Sequence, residues 1–325
     1  MLLLALLPLL LVLAPPASAW GPITHAYVAC TANDAAASLA ACARSRPTLF
    51  AAADAPDYAG FGFLNSSTAN TCTAAVGHVH NLAFAGFMLQ QRDAIAARVA
   101  HDVGSRVGVH VRRGGSVGNA TEMIDDFTLG FASHIATDYV GFYGQGGVLC
   151  TKEAGGCTSN SILYMPEWSY MAAIDAYTYA KTDLASLGTA LPVPDSSTMG
   201  SSDEVYAFVA QASSMFAETT SSFAPVSEAV FRACAVFWAP NMQFVYDRAA
   251  FVSSSEANLQ FLHNELDWFN PTQGEFEAAW VGQTGCAVTV TKAFYADINS
   301  GVEPATAMAN AGKLVAKLYA DGQCK

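Results

Sequence analysis

Apolar residues open the chain as one unbroken run, Met1 to Leu13, and afterwards recur at helical spacing with little strand-like alternation. The opening run is short for a bilayer span, which needs about 20 apolar residues. It ends in Ala17-Ser18-Ala19, a small-x-small signature, so residues 1–19 are expected to be a cleaved secretory signal peptide, although no Lys or Arg precedes the run. The periodicity then predicts a helix over Ala26 to Ala43. A long stretch from Gly77 to Val107 follows, carrying Leu82, Phe84, Phe87, Met88, Ile95 and Val99. Ala120 to Tyr143 is predicted next, with Asn119 as N-cap. Trp168 to Leu187, Ser202 to Thr220, Ser227 to Trp238, Ser253 to Phe269, Thr272 to Ala279 and Pro304 to Ala320 complete the set. Gly-, Ser- and Pro-rich breaks fall at Gly144 to Asn160 and at Leu191 to Ser202. The pattern predicts an all-α, multi-helix bundle, and residues 20–325 are read as a single domain.

Cleavage would leave 306 residues (325 − 19) with all eight cysteines: Cys30, Cys42, Cys72, Cys150, Cys157, Cys234, Cys286 and Cys324. The number is even and no CxxC pair occurs, which in an exported chain favours disulfides over a thiolate metal site. Cys150 and Cys157 bracket a Gly-rich loop and are expected to form a local pair. Asn65-Ser66-Ser67 and Asn119-Ala120-Thr121 are N-glycan acceptor sequons. All of this agrees on a secreted, extracellular or endomembrane-lumen location. Fifteen basic against 27 acidic residues give a net charge of −12, which argues against a broad electrostatic grip on nucleic acid or an anionic membrane. A metal centre changes that locally, because its own charge can hold one phosphate.

Candidate ligands are few. His134-Ile-Ala-Thr-Asp138 puts His and Asp at i and i+4, on one helix face and within reach of one metal. The flanks, Phe127 to Ala132 and Tyr139 to Phe142, are mostly apolar, and a charged pair in such a helix needs a compensating partner. Gly77-His78-Val79-His80-Asn81 offers two imidazoles that face apart on a helix, so only one suits a shared site. Asp57 follows Pro56 in a defined turn. Signal cleavage would expose Trp20, whose amine and carbonyl together can chelate a metal, and His25 lies five residues on.

In order and spacing these residues resemble the zinc-dependent phospholipase C superfamily. That superfamily includes bacterial phospholipases C, the catalytic domain of glycosylphosphatidylinositol-specific phospholipase D, and single-strand nucleases of fungi and plants. The nucleases begin Trp-Gly with a His at the distance from Trp20 to His25. The phospholipase D members carry the order found here as Thr24-His25, Pro56-Asp57, His80 and Ser133-His134-Ile-Ala-Thr-Asp138. The likeness spans roughly Trp20 to Tyr179. It implies a bundle of the phospholipase C and nuclease type with two adjacent zinc ions. One zinc would take Trp20, His25 and Asp138. The other would take Asp57, His80, His134 and Asp138, with Asp138 bridging and Asp57 also serving as base for an attacking water.

The family's third zinc is not provided for. Its expected positions read Phe142 and Met171, both lacking an imidazole, followed by Asp175. His263-Asn264-Glu265-Leu266-Asp267 reads as a surface helix, and His101 and His110 match nothing in the family pattern. Tyr139, Phe142 and Tyr143 either line a groove for lipid chains or serve ordinary helix packing. The resemblance therefore implies a secreted phosphodiesterase acting on phospholipid or glycosylphosphatidylinositol head groups, monomeric and touching the membrane surface only transiently. A single-strand nuclease and a non-catalytic metal-binding relative are the alternatives.

Overall fold

A computed structural model describes residues 21–57, 71–72, 75, 78–106, 117–153, 174–188, 202–235, 246–247, 249–250 and 273–324. These residues form helices and the turns between them, with no β-strand among them. The helices are α1 (Pro22–Ala32), α2 (Leu39–Ser45), α3 (Pro47–Ala52), α4 (Leu82–Gln90), α5 (Arg92–Arg106) and α6 (Val117–Glu153). Then come α7 (residues 174–181), a 3-10 turn (Leu184–Leu187), α8 (Ser202–Thr219), α9 (Glu228–Ala235), α10 (Gln273–Asn299) and α11 (Pro304–Ala320).

Helix α6 is the central post, touched by α1, α3, α4, α10 and α11. Every residue from Phe131 to Asp138 is buried. A helix enclosed on all sides has no solvent face, so it shows little amphipathic periodicity. Gly130 lets α3 lie directly on this post. A Cβ there would sit 2.7 Å from the Leu49 carbonyl oxygen and 2.8 Å from the Ala52 Cβ. Arg46, at the junction of α2 and α3, donates Nε and Nη2 to Asp126 of α6. From the other side, the Tyr295 hydroxyl of α10 donates to the Leu129 carbonyl at 2.6 Å, and the Tyr319 hydroxyl of α11 donates to the Val140 carbonyl at 2.9 Å. The post is thus tied on both flanks of its His-x-x-x-Asp stretch.

Several predicted boundaries move. The helix expected over Ala26 to Ala43 is two helices. Asp34 takes a left-handed φ of 47°, Asn33 caps α1 by donating its side-chain amide to the Ala29 carbonyl, and Ser38 caps α2. Asx and Ser side chains that bond their own backbone compete with helix continuation. The corner is held by the Cys30–Cys42 disulfide. The stretch from Gly77 to Val107 breaks at Asn81, whose Oδ1 accepts from the Ala83 and Phe84 amides to start α4. Helix α6 runs on through the glycines to Glu153, because glycine lowers helix propensity without removing a donor, and no proline intervenes. Helix α10 is far longer than Thr272 to Ala279. Its glycines and β-branched residues mask a buried stripe at Cys286, Val290, Phe294 and Ile298 that holds the helix in place. Helix α11 starts at Pro304 and ends at Ala320, as the periodicity predicts.

Disulfides Cys72–Cys234 and Cys286–Cys324 join Cys30–Cys42, which fits folding in an oxidising compartment. The expected Cys150–Cys157 pair, the Ser253 to Phe269 helix and both sequons lie outside the residues described in full. No helix among the described residues is long and apolar enough to cross a membrane.

Candidate metal centre

Five of the six expected ligands meet at the middle of α6. Trp20 lies outside the described residues. His25 stands in the first turn of α1, and Asp57 ends the turn that follows α3. His80 stands just before the N-cap of α4, and His134 and Asp138 are one turn apart on α6. His78 points elsewhere, edge-on to Phe223 with ring centroids 5.5 Å apart, so His80 is the imidazole that joins the cluster.

Two groups of donor atoms form around His134. His25, His134 and Asp138 make one, and Asp57, His80 and His134 make the other, with each group's donor atoms within 4.8 Å of one another. Asp138 offers one oxygen to each side. Its Oδ1 is 3.5 Å from His25 Nε2, and its Oδ2 is 3.3 Å from His134 Nε2 and 3.8 Å from His80 Nε2. Asp57 Oδ1 lies 2.9 Å from His80 Nε2 and 3.8 Å from His134 Nε2. The Nε2 atoms of His80 and His134 face each other at 3.3 Å, and the His25 ring stacks on the His134 ring with centroids 3.8 Å apart.

The backbone fixes the orientation of His134. Its Nδ1 lies 2.8 Å from the Ala53 carbonyl oxygen, which can only accept, so Nδ1 carries the proton and Nε2 faces the cluster. The segment from Ala53 to Asp57 therefore supplies a ligand and the group that aims another. Nothing in sequence marks a carbonyl for that role. Gly130, one turn before His134, lets that segment come close enough to perform it.

The electrostatics favour a cation. Burial disfavours a charged His134 imidazole, yet the nearby carboxylates of Asp138, Asp57 and Asp54 outweigh burial and raise it from 6.5 to about 9. Two carboxylates in the interior require compensating positive charge. The His134 proton supplies it in the absence of metal, and a divalent ion would supply it better. Imidazole nitrogen and carboxylate oxygen are donors that suit zinc among other divalent metals, so the residues present fit two adjacent metal ions.

Asp175, the remnant of the expected third-zinc pattern, serves a different purpose. It is buried on α7, and its Oδ1 accepts from the Thr24 amide at 2.9 Å and the Thr24 hydroxyl at 2.8 Å. Its Oδ2 accepts from the Ile23 amide at 3.3 Å. Burial pushes this carboxyl up, and those hydrogen bonds only partly offset it, leaving it at about 7. Tyr139 is half-buried and packs on the core, the ordinary role of an aromatic on a helix; the side chains of Phe142, Tyr143, Met171 and His263 lie outside the described residues.

No family model, curated protein or solved structure is significantly similar to the chain.

Proposed function

We propose that the protein is a secreted zinc-dependent phosphodiesterase that hydrolyses phospholipid or glycosylphosphatidylinositol head groups with water as nucleophile. The observation that carries the reading is the convergence of His25, Asp57, His80, His134 and Asp138, with an Asp138 oxygen on each side. Bound there, two zinc ions supply Lewis acidity toward a phosphoryl oxygen and a water acidified into the neutral range. His25 would hold one ion, Asp57, His80 and His134 the other, and Asp138 would reach both. The Ala53 carbonyl keeps the His134 lone pair aimed inward. Asp57, slightly more exposed than Asp138, would accept a proton from the attacking water. The net charge of −12 favours a zwitterionic lipid head group over a polyanionic strand.

The purified mature protein is expected to contain two zinc ions by elemental analysis. It is expected to release head groups from phosphatidylcholine or a glycosylphosphatidylinositol anchor, an activity lost on chelation and restored by zinc. Protein free of metal would sink the metal reading. Cleavage of single-stranded DNA in preference to lipid would move the chain to the nuclease alternative. Bound zinc with no turnover on all three substrates would make it a binding protein.

A further inference from the structure

We propose that Asp175 is a positioning residue for the His25 half of the metal centre, acting through the first turn of α1; the proposal rests on the metal reading above. Helix α1 has no side-chain N-cap of its own, since Gly21 occupies that position. Its first amides are satisfied from a different helix. Asp175 accepts from both Ile23 and Thr24, the two residues before His25. Gly21 is needed for the approach: a Cβ there would lie 2.1 Å from Asp175 Oδ2 and 2.3 Å from its Cγ. Glycine at this position is thus required by the carboxylate rather than by backbone conformation.

The contact continues through further polar groups. The Trp280 indole N–H of α10 donates to the Thr178 hydroxyl at 2.8 Å. The Thr178 and Thr24 hydroxyls are 3.0 Å apart, and the Thr24 hydroxyl donates to Asp175. Each threonine has a single hydroxyl proton: that of Thr24 goes to the carboxylate, and that of Thr178 has the Ile174 carbonyl at 2.9 Å as well as the Thr24 oxygen within reach. Trp280, Thr178, Thr24 and Asp175 thus touch one after the next, and all four groups lie outside both donor clusters of the metal centre. A network of this kind has one favourable geometry, because each buried polar atom depends on the next. It fixes α1 against α7 and α10 where His25 emerges. His80 and Asp57 are placed by other elements, so the network acts on one of the two metals only.

Zinc titration of the full mature chain, followed by calorimetry and elemental analysis, tests this. Asp175→Ala, Gly21→Ala and Thr24→Val are each expected to weaken one of the two zinc-binding steps by about 10- to 100-fold, the usual effect of losing an outer-shell partner. The other step is expected to stay at the wild-type value. Thr24→Ser keeps the hydroxyl and is expected to match the wild type. Thr24→Val carries the test where Asp175→Ala does not fold. Equal weakening of both steps, or no change in either while the wild type binds two zinc ions, would overturn the positioning role alone. A wild-type chain that binds no zinc would overturn it together with the metal reading.

Discussion

Replacing His134 with alanine is expected to strip the protein of both metals, a larger effect than losing His25, Asp57 or His80. His134 belongs to both donor groups, whereas His25 belongs to one and Asp57 and His80 to the other. The His134 Nε2 lone pair serves one ion, so removal of the residue takes a nitrogen from the Asp57 and His80 side; it also removes the ring stacked on His25 and the partner of Asp138 Oδ2 at 3.3 Å, which unsettles the other side. His25→Ala is expected to spare the second metal, and elemental analysis of the two variants side by side makes the comparison. One full zinc retained in His134→Ala would contradict the dependence of both sides on this residue.

The same residue sets a pH dependence. The folded His134 is raised from 6.5 to about 9, so without metal its proton contributes stability that is complete below pH 6.5 and lost as pH rises through about 9. Zinc must displace that proton. Zinc affinity is therefore expected to rise with pH across this window, by about tenfold per unit for one displaced proton. A flat affinity over the same window would mean that His134 is already neutral.

Breaking Cys72–Cys234 is expected to be the most destabilising loss of a disulfide among the three described. It joins residues 162 apart in sequence, against 38 for Cys286–Cys324 and 12 for Cys30–Cys42. A crosslink stabilises by restricting the unfolded chain, and the restriction grows with the logarithm of the loop. The chain-entropy estimate is about 5 kcal/mol for Cys72–Cys234, about 4 for Cys286–Cys324 and about 3 for Cys30–Cys42. Both sulfurs of the long link are buried, so the paired alanine variant also loses packing. Cys72 lies on the chain between Asp57 and His80 and ties that connection to Cys234 on α9. Unfolding midpoints in denaturant for the three paired alanine variants give the order. A larger loss from Cys30–Cys42 would show that native packing, and not chain entropy, dominates.

How much of this was legible beforehand differs from element to element. Helix α11 could be read directly, since Pro304 opens it and its apolar stripe at Ala307, Ala311, Val315 and Leu318 faces the core. Helix α10 could not, because its polar and small residues hide the buried stripe. The corner at Asn33 and Asp34 was missed because alanines on both sides read as one helix.

For the site, the residues by themselves offered His25, Asp57, the pair His78 and His80, and His134 with Asp138, and the resemblance to zinc-dependent phospholipases C joined His25, Asp57, His80, His134 and Asp138 with Trp20 in one site. It also predicted an all-helical chain with disulfides. Tertiary structure decided the rest. It chose His80 over His78, since the turn at Asn81 rotates one imidazole inward and leaves the other against Phe223. It assigned Ala53 to aim His134, and it gave Gly130 and Gly21 their purposes, both of them close approaches between segments far apart in the chain. It also turned Asp175 from an incomplete metal ligand into the anchor of α1. The physical reason is common to all four. A ligand's identity is a property of its own side chain, and a pattern of residue types records it. Its aim and its support come from backbone carbonyls, absent Cβ atoms and packed helices, which acquire meaning only when distant parts of the chain meet.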